Sequence, residues 1–262
     1  MSFRLYADLG NTTLHWAIHV PDAASCWAAT ARVACSEDFV RRCGVSMQAM
    51  LEQAGQREEE YAGGLACSSN PRADVQLQDA VRVCLGGQID MLTHETAAAV
   101  RTGYVDSTQI GLDRLANAAG LAGLTALPAV VADVGSCITV DFIDAEGVLV
   151  GGAIAPGLPV MKAGMAARTP HLQAALDALR PPVSMTEPGR TTQDCIALGL
   201  YRALSATPAA LADGFSRGRG RVSKVLTGGD AAWVQSCTGW ADLVDELLTL
   251  RGLHTLDPEA AN

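Results

Sequence analysis

Asp8-Leu9-Gly10-Asn11-Thr12 near the start of the chain returns near its middle as Asp133-Val134-Gly135-Ser136, and the reading of this pair decides the fold. Each copy closes an apolar strand and opens into another. Ahead of the first, Phe3, Leu5 and Ala7 alternate with more polar neighbours. Beyond it, Leu14, Trp16, Ile18 and Val20 alternate with Thr13, His15, Ala17 and His19. A period of two on both sides of a tight loop predicts a β-hairpin. The second copy follows the apolar run Ala129–Asp133 and leads into Val140 and Phe142; a turn at Asp144-Ala145-Glu146-Gly147 precedes another strand, Val148–Val150. An internal repeat of this length implies an α/β protein of two similarly built halves with a cleft between them. We expect the halves at residues 1–117 and 118–262, with the last helix able to pack back on the first. No linker rich in Pro, Gly or Ser separates them. Two Asp-x-Gly turns can also arise by chance, but the shared strand–loop–strand context argues against that.

Between the repeats, Ser36 is the expected N-cap of a helix. Phe39, Val40, Cys43, Met47, Met50, Leu51 and Ala54 recur at helical spacing, and Gly55 stands at its end. A strand over Tyr61–Cys67 should run into the turn Ser68-Ser69-Asn70-Pro71. A helix over about 74–85 and a strand over Gln88–Leu92 follow. Helical patterns resume over about 157–180 and 192–215, and a late strand, Val222–Leu226, ends in Thr227-Gly228-Gly229-Asp230.

Bulk composition narrows the function. Hydrophobic residues make up 49% and charged residues 18%, which suits a packed globular protein. Apolar stretches such as Ala126–Ala132 fall far short of the roughly 20 residues that cross a bilayer. No basic flank, apolar core and cleavage site occur in succession at the N-terminus, so neither a secretory signal nor a membrane partner is expected. With 19 basic against 28 acidic side chains the net charge is −9, which makes nucleic acid a poor partner. An anionic ligand would need a local trap of backbone N–H groups or a metal ion. None of the eight cysteines forms a Cys-x-x-Cys pair, and most lie in apolar segments; reduced thiols in a cytoplasmic protein are the expectation.

The two loops have the makings of such a trap. Glycine at position 10 removes the side chain that would keep a phosphate from the backbone. Asn11, Thr12 and Thr13 add neutral donors, and Asp8 is a ligand of the kind magnesium takes, directly or through water. No Gly-Lys-Ser/Thr follows, and a strand comes next in place of a helix. The loop is therefore neither a Walker sequence nor a dinucleotide fingerprint. In the second loop Ser136 and Thr139 offer hydroxyls, and Asp133 either binds a cation or caps turn amides. A third segment, Gly111-Leu112-Asp113-Arg114, precedes a helix marked by Leu115, Ala116, Ala119 and Ala122. A carboxylate in its first turn meets the positive end of the helix dipole, and such a group can accept an alcohol proton during phosphoryl transfer. From spacing alone, a helix cap with a surface ion pair is the better reading of this third segment.

Taken as a set, these segments resemble the type III pantothenate kinase family, of the acetate and sugar kinase/Hsp70/actin superfamily. The match lies in Asp8-Leu-Gly-Asn-Thr12, Gly111-Leu-Asp-Arg114, Asp133-Val-Gly-Ser-Cys-Ile-Thr-Val-Asp141 and Gly151-Gly-Ala-Ile-Ala-Pro-Gly157, with Thr191-Thr-Gln-Asp-Cys-Ile-Ala-Leu-Gly199 and Thr227-Gly-Gly229 beyond them. The resemblance covers nearly the whole chain. It implies two ribonuclease H-like (actin-like ATPase) domains and an ATP-dependent phosphorylation of pantothenate at the first step of coenzyme A synthesis. By the same resemblance, Asp8, Leu9, Gly10, Asn11, Thr12, Thr13, Leu14 and His15 form the nucleotide loop, with Asp8 near magnesium, and Ser136 touches ATP phosphate. Asp113 accepts the proton of the pantothenate hydroxyl. Tyr104, Gly111, Leu112, Asp113 and Arg114 border the substrate, with Thr192 on its other side. Asp133 holds potassium or ammonium, and the protein works as a cytoplasmic homodimer.

Two departures stand out. Where the family carries Asn-Pro after the tyrosine and one further residue, this chain has Asp106-Ser107 after Tyr104-Val105. Where the family has Thr-Ala in the second loop, this chain has Ser136-Cys137, which keeps the hydroxyl without the methyl that fixes its rotamer. They leave open a weakly active or inactive homologue serving as a regulatory or accessory protein, and a kinase of the same fold acting on another small alcohol.

Overall fold

The computed structural model describes residues 2–21 and 26–260, in two compact units. The first holds the chain up to Leu124 together with the segment from Leu247 onward; the second is Thr125–Glu246.

In the first unit, β1 (Phe3–Leu9) and β2 (Thr13–His19) form the expected hairpin, and β3 (Ala29–Ala34) extends it antiparallel to β2. On the other side of β1 lie β4 (Tyr61–Ser68) and then β5 (Asp90–Met91), both parallel, giving the order β3-β2-β1-β4-β5. Helices α1 (Phe39–Ala54) and α2 (Asp74–Leu85) pack on each other. Phe39, Cys43, Met47 and Met50 of α1 and Leu77, Ala80 and Val81 of α2 join one core with Leu5, Leu14, Trp16 and Ile18 of the sheet. The Trp16 indole is fully buried and donates to the Ser46 hydroxyl at 3.2 Å, so its one polar atom is satisfied by α1. Gly55 ends α1 in the left-handed conformation, as its position implied. The N-cap is Asp38, two residues beyond the expected Ser36, whose carbonyl instead closes a turn onto the Phe39 amide.

The second unit repeats the plan. Strands β6 (Ala129–Val134), β7 (Cys137–Ile143) and β8 (Leu149–Pro156) form an antiparallel meander, while β9 (Ser223–Thr227) and β10 (Leu243–Val244) continue parallel on the far side of β6. Reading outward from the hairpin, β8-β7-β6-β9-β10 matches β3-β2-β1-β4-β5 strand for strand and direction for direction. The sequence repeat is thus a topological repeat. Helix α4 (Leu158–Arg168) buries none of its residues and ends before Pro170; the short α5 (Gln173–Asp177) follows, so the pattern read as helix over 157–180 is two helices with a break.

Helix α6 (Thr192–Ser216) is long and apolar enough, by length and composition, to cross a membrane, which the sequence reading had not singled out. Here one of its faces is buried: Ile196, Ala197, Leu200, Leu204 and Ala212 lie in the interior, and the helix packs on β6, β7, α4 and α5. Among the described residues, the edge strands β3 and β10, helix α7 (Ala231–Thr238) and short 3-10 turns such as Glu58–Glu60 escaped the sequence reading.

The chain's last helix, α8 (Leu248–Leu256), belongs to the first unit and lies along α3 (Leu112–Gly120). The two approach backbone to backbone. A β-carbon at Gly252 would collide with the Ala116 carbonyl, and one at Gly120 with the Leu248 carbonyl. The Thr249 hydroxyl donates to Asn117 Oδ1 at 2.8 Å within this buried contact. Farther on, Asp257, almost fully buried, takes Arg4 Nε at 2.7 Å and Nη2 at 3.1 Å, tying the chain's end to β1.

Candidate active site

Asp8 and Asp133 are each the last residue but one of their strands, β1 and β6. In the sheet registers Asp8 is flanked by His15 on β2 and Cys67 on β4, and Asp133 by Thr139 on β7 and Thr227 on β9. They are equivalent positions of one architecture, and the loops beyond them are built alike. The Gly10 amide donates to the Thr13 carbonyl at 3.0 Å, and the Gly135 amide to the Cys137 carbonyl at 3.0 Å. Each loop is then braced twice. The Cys35 amide meets the Thr12 carbonyl, and the Gly157 amide the Ser136 carbonyl; the Ser69 amide meets the Leu9 carbonyl, and the Asp230 amide the Val134 carbonyl.

Glycine is required at two of these braces. At Gly157 a β-carbon would strike the Gly135 and Ser136 carbonyls. At Gly228, where φ is 93°, it would strike the Asp133 carboxylate and the Val134 backbone. The Gly-Gly and Pro-Gly pairs of the sequence are thus the close-approach points that hold the second loop and its carboxylate. In the first unit the Cys67 thiol donates to Asp8 Oδ1 at 3.3 Å, and a carboxylate is the oxygen ligand a hard cation takes. Cys67 and Thr227 are register neighbours of Asp8 and Asp133 that the sequence reading did not single out; the available signal was that each lies at or next to the end of the strand parallel to the motif strand.

Asn11 and Thr12 are exposed at the loop tip, whereas Leu9 and Leu14 are buried and anchor it in the core. His15 points from β2 into a desolvated setting, and burial together with the Arg32 charge on β3 pushes its imidazole down to about 4. It is a neutral ring at ordinary pH.

Asp113 sits in the first turn of α3, after Gly111 at the N-cap. Its Oδ1 accepts the Arg114 amide at 2.9 Å. A β-carbon at Gly111 would collide with that oxygen, so the glycine leaves Asp113 its place. Arg114 is buried, contrary to the surface ion pair that spacing alone favoured. Its Nη2 donates to the Tyr104 hydroxyl at 2.7 Å and its guanidinium lies 5.6 Å from the ring centroid. Tyr104, Gly111, Asp113 and Arg114 are therefore one cluster within the first unit. Leu112 stands beside them on α3, and α3 packs against β4, the strand that carries Cys67.

The missing proline has a structural replacement. Asp106 Oδ1 accepts the Thr108 amide at 3.0 Å and its hydroxyl at 2.6 Å, and Oδ2 accepts Gln109 Nε2 at 3.1 Å. These bonds cap a 3-10 turn at Ser107–Gln109 and hold the Asp106 carboxyl below the usual carboxylate range, the Thr108 hydroxyl contributing most. In the second unit, Ser136 is half-buried while Cys137 is exposed, and Thr192 is the exposed first residue of α6, capped by the Thr191 hydroxyl accepting the Asp194 amide. All eight cysteines are free of disulfides.

The family model for the type III pantothenate kinase matches residues 4–212, a span that holds Asp8, Tyr104, Asp113, Asp133 and Thr192 and ends before Thr227 and Gly228. The chain belongs to that family. A type III pantothenate kinase from Halorhodospira halophila is 33% identical over 216 residues, covering 80% of each chain. One from Akkermansia muciniphila is 34% identical over 213 residues, covering 78% of this chain and 84% of that one. Among solved structures, the activator of 2-hydroxyisocaproyl-CoA dehydratase from Clostridium difficile, crystallised with ADPNP, superposes with a TM-score of 0.55 at 11% identity, covering 97% of this chain and 93% of that one. This type III pantothenate kinase family member therefore has the actin-like ATPase and sugar kinase fold that the resemblance implied, with the two similar α/β halves that its repeat implied.

Proposed function

We propose that this chain transfers the terminal phosphoryl group of ATP to the primary alcohol of pantothenate, giving 4′-phosphopantothenate at the first step of coenzyme A synthesis. The family match through Asp8, Asp113, Asp133 and Thr192 in order carries this reading. Because phosphoryl transfer asks the protein mostly for positioning and charge stabilisation, the braced loops and oriented carboxylates are the parts it needs.

In this reading the backbone of Gly10–Thr13 and the Ser136 hydroxyl hold the ATP phosphates. Asp113 keeps Oδ1 on the Arg114 amide and presents Oδ2 to the pantothenate hydroxyl, accepting its proton as the phosphorus–oxygen bond forms. Arg114 acts by positioning: it fixes the Tyr104 ring, which with Thr192 borders pantothenate. Asp8, whose hydrogen-bonded carboxylate has the oxygen chemistry of a magnesium ligand, would hold that ion directly or through water, and Asp133 a potassium or ammonium ion. When bound, these cations supply neutralisation of phosphate charge. We place the reaction in the cytoplasm and assign it to a homodimer. In support of the dimer, Ile154 on β8 is 64% exposed and Val160 on α4 is 44% exposed, on a strand and a helix with unburied apolar faces.

The experiment incubates purified protein with ATP, magnesium, potassium or ammonium, and pantothenate, and measures 4′-phosphopantothenate. Product is expected with wild type, and Asp113→Asn should lower turnover by about 100-fold or more. Folded wild type giving no product with either cation overturns the reading; near-normal turnover by Asp113→Asn removes the proton-acceptor role. A panel of other small alcohols separates pantothenate from its competitors.

A further inference from the structure

We propose that His19, Cys26 and His254 form a binding site for a zinc-class divalent cation, separate from the phosphoryl-transfer site and closing the end of the chain onto the first sheet. The ligand atoms of the three residues lie within 4.8 Å of one another. They come from three places in the first unit: the end of β2, the segment before β3, and α8. Two imidazoles and a thiolate are a donor set that zinc takes, and a tetrahedral ion with bonds of roughly 2.0–2.3 Å needs donors about 3.3–3.8 Å apart, within reach of small side-chain rotations. None of the three is fully buried, so a water molecule can complete the fourth position.

The hydrogen-bond network sets one of the histidines for this role. Asp257 is ion-paired with Arg4 and can only accept, so the Tyr6 hydroxyl, 2.9 Å away, donates to it. The Tyr6 oxygen must then accept at its other contact, 3.1 Å from His254 Nδ1, which places the ring proton on Nδ1. His254 Nε2 is left with its lone pair. A carboxylate acting through an intervening group to orient a histidine and fix its tautomer is the outer arrangement that metal-binding histidines use. The rings are also held in place sideways: His19 and His254 stack at 4.3 Å between centroids, with Trp27 edge-on to both at 6.2 Å.

The site stands apart from the nucleotide loop. His19 is paired with Arg4 in the hairpin register and Asp8 with His15, four residues along, or about 13 Å at the rise of an antiparallel strand. On binding, the Cys26 thiol loses its proton to solvent and the thiolate and two neutral imidazoles donate electron pairs to the cation, so no oxidant or reductant is involved.

The test titrates the reduced, chelator-stripped full chain with cobalt(II) as a spectroscopic probe and then displaces it with zinc. One equivalent should bind with thiolate-to-cobalt charge-transfer absorption and the strong visible bands of a tetrahedral site. Zinc in excess should raise the thermal midpoint by about 5 °C or more. Cys26→Ser, a near-isosteric change at a half-buried position, should abolish the charge-transfer band and the zinc-induced shift while its circular dichroism matches wild type. His254→Gln should weaken binding at least tenfold. Folded wild type that binds no cobalt, cobalt bound without the thiolate band, or a band that survives in Cys26→Ser each overturns the proposal. Kinase turnover is not the readout, so this result and that of the pantothenate assay are independent.

Discussion

Arg114 and Tyr104 hold each other: the guanidinium donates to the phenol at 2.7 Å and lies 5.6 Å from the ring centroid, with the arginine itself buried. Removing the phenol oxygen would leave a buried cationic donor short of one acceptor. Tyr104→Phe is therefore expected to lose about 1–3 kcal/mol of stability and, in the proposed reading, where the ring borders pantothenate and takes no proton, to raise the KM for pantothenate more than it lowers kcat. Steady-state kinetics and urea unfolding check both halves. Unchanged KM with a collapsed kcat would make Tyr104 a participant in the chemistry.

The imidazole of His15, driven to about 4 by burial and by Arg32, gives the fold a defined acid sensitivity. An unfolded chain takes up a proton at His15 as pH falls through roughly 6.5, while the folded chain refuses it until about 4. Stability from this group is complete above 6.5 and is lost between the two values. Urea midpoints at pH 7.5 and 4.5 should therefore differ more for wild type than for His15→Gln. Equal differences would show that His15 is not the group responsible.

Asp257 closes the end of the chain on Arg4 and Tyr6, with its side chain 3% exposed. Asp257→Asn would leave the arginine charge poorly compensated in a largely desolvated place. A loss of about 3 kcal/mol is expected, or a fall in thermal midpoint of roughly 6–12 °C. A calorimetric scan decides it, and a fall under about 2 °C would show the pair to be well solvated.

The apolar residues left outward on β8 and α4 predict the assembly. Ile154→Asp puts a charge where a second copy would desolvate it, and should shift sedimentation from dimer to monomer with the circular dichroism unchanged. A wild type that sediments as a monomer, or a variant that stays dimeric, removes this face from the interface.

Long periodic segments carried most of the fold into view. The alternation around Gly10 and the apolar run at Val130–Val134 are local signals, and β1, β2 and β6 formed where the pattern put them. Edge strands β3 and β10 did not show, because each has one side unpaired and only a partial apolar face, so the alternation is weak. The strand-end places of Asp8 and Asp133 were legible because each stands two residues before a glycine that opens a tight loop, whereas Asp113 was singled out by the resemblance, its spacing alone favouring a helix cap. The burial of Arg114 was not legible, since the acceptor that satisfies it lies ten residues back and only the fold brings Tyr104 to it. Asp106 shows the converse: where the family carries Asn-Pro, an aspartate ties the following turn by hydrogen bonds to Thr108 and Gln109 that the sequence departure did not announce.

The contact of Gly252 with the Ala116 backbone has a consequence for how the protein is made. Helix α3, which carries Asp113, rests on a helix that is made only after the whole second unit, so the first unit stays unfinished until the second has been synthesised. A stop codon after Glu246 would spare the entire second unit yet strip the support from under the helix that carries Asp113. The product should be a half-assembled polypeptide prone to degradation.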